Sequence, residues 1–204
     1  MDVGLYSGIK MDIENYEKYL EIITPHIDDK FEAQKEYIAC KRGCSKCCKT
    51  TTVPFTTLEF DYLLAGYRGL DSDARKMVDE NIRELIANPE IKSCPFLVND
   101  ECSVYKYRGL ICRVFGLLII SGDEEYTIPF CVHDGLNYAN VYDETTNKIS
   151  NKKVEEGNFK EDPKFYQLNR NVMCNLNIVR ELGLDFGESK PLLEWIQGEF
   201  DGKL

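Results

Sequence analysis

Residues 40–48 read CKRGCSKCC, four cysteines in nine positions, and this string decides how the rest of the chain is read. Its spacing is C-x3-C-x2-C-C. Two residues between cysteines let the backbone curl so that both sulfurs face one ion. Gly43 can adopt the positive φ that a sharp turn before Cys44 requires. The adjacent side chains of Cys47 and Cys48 should diverge, by about 100° on a helix or about 180° on a strand, so the two need not serve the same ion. Lys35, Lys41, Arg42, Lys46 and Lys49 flank the string. Such cations are expected to offset the charge of a thiolate centre and to favour ionisation of its ligands.

The chain has nine cysteines, and eight fall between positions 40 and 131, with Cys94, Cys102, Cys112 and Cys131 following the string as singletons. A disulfide framework fits poorly, because the count is odd and the charged start MDVGLYSGIKMDIENYEKY has no signal-peptide apolar region. Core packing suits Cys174, which sits among Phe165, Leu168, Val172, Leu176 and Val179, spaced by threes and fours as on one helix face. The other eight read as thiolates gathered around metal. A chain of 204 residues can bury about 70% of its unfolded surface, so metal is not needed merely to hold it together. Thirty-five acids against 25 Lys plus Arg give a net charge of −10, the wrong sign for tracking phosphates, so no nucleic-acid partner is expected. The longest apolar run, Val114 to Ile120, is far short of the roughly 18 residues of a membrane span, and the expected location is the cytoplasm.

The words C-x3-C-x2-C-C, then CPFL at 94–97, then CSVYKYRGLICRVF at 102–115 and a later Cys131 resemble the CxxCxxCC family, described as a zinc- or iron-chelating domain, to which flagellin lysine N-methylases also belong. The resemblance covers about residues 38–134. It implies metal chelation through Cys40, Cys44, Cys47, Cys48, Cys94, Cys102, Cys112 and Cys131, with the metal left open. Gly109 departs from the family, which usually places proline after the arginine.

Ligand chemistry narrows the metal. Structural zinc sites are usually built from two C-x2-C-like pairs, and this chain has one such pair followed by four separated cysteines. Iron–sulfur clusters accept ligands from distant parts of a chain, so an iron–sulfur centre is favoured over zinc. The ferredoxin run C-x2-C-x2-C-x3-C-P is absent. Cys40, Cys44 and Cys47 share the C-x3-C-x2-C spacing of radical SAM enzymes, but Lys46 replaces the usual aromatic residue before the third cysteine and no strand–helix alternation follows. His133, two residues after Cys131, is a candidate nitrogen ligand, and His26 a weaker one. Arg113 beside Cys112 either tunes an anionic cluster or makes a buried structural pair with a carboxylate or carbonyl; Tyr105 and Arg108 are read as holding the ligand loop.

The expected architecture is an α-rich α+β single domain over 1–204, with a chelating core at about 38–134 and a helical extension at about 160–204. Residues 12–23 and 25–40 read as two helices with Pro25 in the first turn of the second, which Cys40 closes. Thr56 or Thr57 caps a helix running to about Tyr67, and Asp71 caps one that ends at Asn88-Pro89. Arg113–Ile120 and Glu125–Phe130 read as a β-hairpin joined by Ser121-Gly122-Asp123, bringing Cys112 and Cys131 to one end. Residues 143–162 read as a polar surface loop, and Pro191 to about Phe200 as a closing helix. Three functions fit: a cytoplasmic metalloprotein acting in electron transfer or cluster-assisted modification of a protein; a non-catalytic zinc module shaping a protein-interaction surface; and a lysine methyltransferase-like enzyme. No G-x-G loop, P-loop, H-E-x-x-H or G-x-S-x-G supports catalysis, which rests on the resemblance alone. The expected partner is a redox protein or protein substrate, without a membrane.

Overall fold

The computed structural model describes residues 3–41, 43–49, 53–121 and 125–203, with side chains from Asp12 onward. In chain order the elements are α1 (Val3–Ala33), β1 (Pro54–Thr56), α2 (Thr57–Arg68), α3 (Ser72–Ala87), β2 (Leu97–Val98), β3 (Glu101–Cys102), α4 (Leu110–Val114), β4 (Leu118–Ile120) and β5 (Tyr126–Thr127). They continue with β6 (Tyr142–Asp143), β7 (Lys148–Ile149), α5 (Asn151–Glu156), β8 (Phe165–Tyr166), α6 (Arg170–Met173), α7 (Asn177–Glu181), β9 (Ser189–Pro191) and α8 (Leu192–Phe200). The architecture is α+β and helix-rich. The chain divides into two compact units, one of residues 1–19, 42–113 and 177–204, the other of residues 20–41 and 114–176. Among the described residues no helix is long and apolar enough to cross a membrane.

The first unit is built on capped helices. Thr56 accepts the Glu59 N–H at 3.3 Å while Glu59 accepts the Thr56 N–H at 2.9 Å, a reciprocal box that starts α2. Asp71 caps α3 by accepting from Asp73 and Ala74, and Asn88 ends it, as the sequence predicts. Phe60, Leu63, Leu64 and Tyr67 of α2, Val78, Ile82 and Leu85 of α3, and Leu192, Ile196 and Phe200 of α8 form one core with Phe55, Phe96 and Val104. β1 pairs antiparallel with β9, and the Trp195 indole donates to the Phe55 carbonyl at 2.8 Å, fixing α8 at the sequence-distant start of α2.

The second unit centres on Tyr37, Leu118, Tyr138 and Val141, with Tyr37 stacked on Tyr138 at 5.6 Å. Its three-stranded sheet has the order β5-β4-β8, with β4 antiparallel to β5 and parallel to β8.

Four sequence expectations are corrected. Residues 12–23 and 25–40 do not form two helices: α1 runs through Pro25 to Ala33, and Cys40 lies in irregular chain beyond it. Interior proline costs about 3 kcal/mol, but Tyr16, Tyr19, Leu20, Ile23 and Ile27 keep one buried stripe continuous past it, while Pro25 itself is exposed. The hairpin is shorter than expected: residues 110–114 are helical, Gly116 sits at φ +115°, and only Ile119 and Ile120 pair with Thr127 and Tyr126. Residues 122–124 of its expected turn lie outside the described residues. The loop 143–162 contains a small hairpin, β6–β7, turned by Asp143 accepting from Thr145 and Thr146, and a helix capped by Ser150. The face read from Phe165 to Val179 is broken: Phe165 and Tyr166 pair with β4, and Asn169 caps α6 while donating to the Ile120 carbonyl at 2.9 Å. Long-range pairing thus outweighs the helical period there.

Candidate metal centre

All nine cysteines lie within the described residues, and none is in a disulfide. Six of them, Cys44, Cys47, Cys48, Cys94, Cys102 and Cys112, belong to the first unit. Gly43 has φ +82°, the turn expected before Cys44, and residues 46–49 then tighten into a 3-10 turn in which the Cys48 N–H donates to Ser45 at 3.0 Å. The β2–β3 hairpin carries Cys102 and turns through Asn99 and Asp100, both at positive φ. Asp100 ties hairpin to string: its Oδ1 accepts from the Ser45 hydroxyl at 2.7 Å and pairs with Lys49 at 3.2 Å. The Cys94 N–H donates to the Cys48 carbonyl at 2.6 Å.

Cys112 is positioned from the other side. The 0%-exposed Glu59 accepts the Leu110 N–H at 2.7 Å, so the capping-box carboxylate of α2 also anchors the first turn of α4. A Cβ at Gly109 would stand 2.7 Å from Phe55 Cε1 and 2.9 Å from Glu59 Oε1, which accounts for glycine at this position. Arg113 donates through Nε to the Arg108 carbonyl at 3.1 Å and through Nη2 to the Lys106 carbonyl at 2.6 Å. Carbonyl pairing is one of its two sequence readings. Arg108 lies over the Tyr105 ring at 3.8 Å, and its buried Nε has no hydrogen-bond partner.

The thiols feel one another. Burial raises Cys94, and Cys112, Cys102 and Cys47 raise it further. Burial pushes Cys112 up to about 12; Cys102, Cys47 and the Glu59 carboxylate add to this and Arg108 opposes it. Cys102 is raised by burial and, more weakly, by Cys47, again against Arg108. Cys47 is raised first by its contact with Cys48 and then by burial. Of the flanking cations, Lys35 is paired with Glu32 at 2.5 Å and Lys49 with Asp100 at 3.2 Å, while Arg108 acts on Cys102 and Cys112. Arg42 lies outside the described residues.

Cys94, Cys102 and Cys112 also pack against the main core, so their sulfurs sit at its margin. Among the described residues no group of three or more His, Cys, Asp or Glu side chains is drawn tight enough to hold a metal ion as it stands. The donor set nonetheless suits one: the partly buried, mutually interacting thiols of Cys47, Cys94, Cys102 and Cys112 are soft ligands for zinc or iron. The expected divergence of the adjacent pair is not observed, since the Cys47 and Cys48 sulfurs are 3.9 Å apart.

The remaining candidates lie in the second unit. Cys40 Sγ is 3.1 Å from Asn137 Nδ2, which also donates to the Gly116 carbonyl at 3.0 Å, while Asn137 Oδ1 accepts the Ala39 N–H at 2.8 Å. Cys131 is buried in a 3-10 turn, Phe130–Asp134. His133 is exposed on that turn, edge-on to Tyr142 at 5.3 Å, and His26 is exposed on α1. Cys174 ends α6, half-buried. Glu59, Asp100 and Asn137 were not singled out by the sequence. Only Glu59 carried a signal there, as the acid three residues after a capping threonine.

Against known proteins, the model of the CxxCxxCC family, "Putative zinc- or iron-chelating domain", matches residues 39–175. No curated protein and no solved structure matches the chain.

Proposed function

The chain belongs to the CxxCxxCC family, and from that premise we propose that it is a metal-binding protein whose first unit holds iron or zinc through Cys47, Cys94, Cys102 and Cys112. The observation that carries this reading is the placement of Cys94, Cys102 and Cys112, partly buried, at the edge of one core, with Cys47 acting on all three. Cys44 and Cys48 of the same string, and Cys40 and Cys131 of the second unit, complete the eight-cysteine set that the family pattern implies. Residues 47, 94, 102 and 112 come from four separate segments, and such dispersal favours an iron–sulfur centre over a zinc site made of paired motifs. A bound cluster would supply one-electron transfer or electron supply to a modification reaction; a bound zinc would supply a rigid crosslink shaping a protein-interaction surface. The chain's own part is to bury the ligands, to orient Cys112 through Glu59 and Arg113, and to dock the string through Asp100. The working location is the cytoplasm and the partner a protein, either redox partner or substrate.

Elemental analysis of protein purified without oxygen tests this. Iron with equimolar acid-labile sulfide and absorption near about 400 nm selects the redox reading. Colourless zinc protein selects the interaction reading. Serine at both Cys44 and Cys47 should lower bound metal below half of wild type, whereas Cys174→Ala should leave it unchanged. Unchanged metal in the double variant would reject the ligand set.

A further inference from the structure

Cys47 and Cys48 are chain neighbours whose sulfurs stand 3.9 Å apart. They lie in the 3-10 turn Lys46–Lys49, a geometry in which successive side chains leave the axis about 120° apart. Sulfurs this close therefore require both side chains to be turned toward one another. The backbone beneath them is tied to the next segment of the same unit. The Cys48 N–H donates to the Ser45 carbonyl at 3.0 Å, the Ser45 hydroxyl donates to Asp100 at 2.7 Å, and the Cys48 carbonyl accepts the Cys94 N–H at 2.6 Å. Neither thiol is sealed in the core: both residues are half-buried, and Lys49 beside them is exposed. The turn thus presents two converged thiols on a fixed backbone, within reach of a small solute.

We propose that Cys47 and Cys48 are a redox modification site, which a peroxide closes to a disulfide between adjacent residues and a dithiol reductant reopens. One sulfur attacks an oxygen of hydrogen peroxide, the O–O bond breaks, the sulfur becomes a sulfenic acid, and water leaves. The neighbouring thiol then attacks the sulfenic sulfur, the S–S bond forms, and its proton leaves with the hydroxyl as a second water. The two thiols supply the two electrons and two protons that convert the peroxide to water. Closing the sulfurs from 3.9 Å to a bond of about 2.05 Å takes side-chain rotation over a turn already formed. The product is of the labile kind. Neighbouring Cα atoms stand about 3.8 Å apart across a trans peptide, inside the roughly 4.4–6.8 Å that disulfides usually span, and strained disulfides are the readily reduced ones. The assignment concerns the thiols as the turn holds them and does not rest on a bound metal.

The test treats the full chain, reduced and stripped of any metal by a chelator, with one equivalent of hydrogen peroxide, then alkylates the remaining thiols and identifies the tryptic peptides by mass. Trypsin cuts after Lys46 and Lys49, so the pair is released as Cys47-Cys48-Lys49. From untreated protein this peptide should carry an alkyl group on each sulfur. After peroxide it should carry none and be lighter than the free dithiol by two hydrogens, and dithiothreitol added before alkylation should restore the doubly alkylated form. In Cys48→Ser the partner is missing, and the sulfenic acid of Cys47 should be trapped by dimedone. Cys174→Ala should behave as wild type. A wild-type disulfide from Cys47 or Cys48 to any other cysteine, a sulfinic acid on either without an S–S bond, or a peptide still doubly alkylated after peroxide overturns the inference. None of these results touches the metal reading, which elemental analysis tests separately.

Discussion

Glu59 is the side chain on which the cysteine geometry of the first unit turns, and its removal has a calculable cost. Its carboxylate is fully buried and accepts two backbone N–H groups, Thr56 at 2.9 Å and Leu110 at 2.7 Å. Hydrogen bonds to a charged group contribute about 1.5–3 kcal/mol each, and both donors are left in apolar surroundings when the acceptor goes. Because the two bonds share one carboxylate they are not independent, and Glu59→Ala should cost about 3–5 kcal/mol, a large part of a typical domain's stability. Glu59→Gln keeps one acceptor oxygen but turns an NH2 toward the second N–H, and should cost roughly half as much. The assay is urea unfolding of the metal-free protein followed by circular dichroism, with bound metal measured in parallel. Since Leu110 opens the helix that carries Cys112, both variants should also retain less metal than wild type, Glu59→Ala the less of the two. A loss below about 1 kcal/mol in Glu59→Ala would refute the reasoning, because two buried N–H groups cannot lose a carboxylate so cheaply.

Three further outcomes are expected. Gly109→Ala should lose about 1–3 kcal/mol through overpacking against Phe55 and Glu59, and proline, the residue the family usually carries there, meets the same obstacle; a variant as stable as wild type would show that the neighbours can give way. Asn137→Ala should cost about 2–4 kcal/mol, since one 1%-exposed amide serves the Ala39 N–H, the Gly116 carbonyl and the Cys40 sulfur, and thermal melts within about 2 °C of wild type would contradict it. The pH profile of the metal-free protein should fall on the alkaline side. Cys112 is raised from an ordinary 9.0 to about 12 in the fold, so the unfolded chain loses its proton first and stability declines as pH rises above 9. By pH 10 this one thiol should account for a loss of about 1 kcal/mol, and the metal-loaded protein should not share it; a flat metal-free profile would show that the thiols are not buried as described.

What the sequence made legible is local. The helices at 57–68, 72–87 and 192–200 carry their own period and, for the first two, their own caps, Thr56 and Asp71, so neighbours within four residues suffice to place them. The turn at Gly43 follows from the same kind of information. What was misread depends on partners distant in the chain. Phe165 and Tyr166 follow a helical period but are claimed by β4, 47 residues upstream in register, and Pro25 is a strong local stop overruled by a buried stripe on both sides of it. The cysteines were visible as a set because thiols at those spacings are rare. Their division was not: Cys40, Cys131 and Cys174 fall in the second unit and the other six in the first, and chain order does not show that boundary. Arg113 was read beside Cys112 and Arg108 as holding the ligand loop, but their hydrogen bonding was not legible: Arg113 donates to two carbonyls, and Arg108 keeps a buried Nε without a partner. The flanking lysines looked like the charge partners of the thiols, yet Lys35 and Lys49 are held by nearby acids.

The central claim, that the first unit holds a metal among Cys47, Cys94, Cys102 and Cys112, is tested most directly by X-ray absorption at the iron and zinc edges of anaerobically purified protein. The account predicts a first shell made of sulfur alone, four per metal at about 2.3 Å, reduced in occupancy by Cys94→Ser or Cys112→Ser. A first shell of nitrogen and oxygen, or a sulfur shell untouched by those two substitutions, would contradict it.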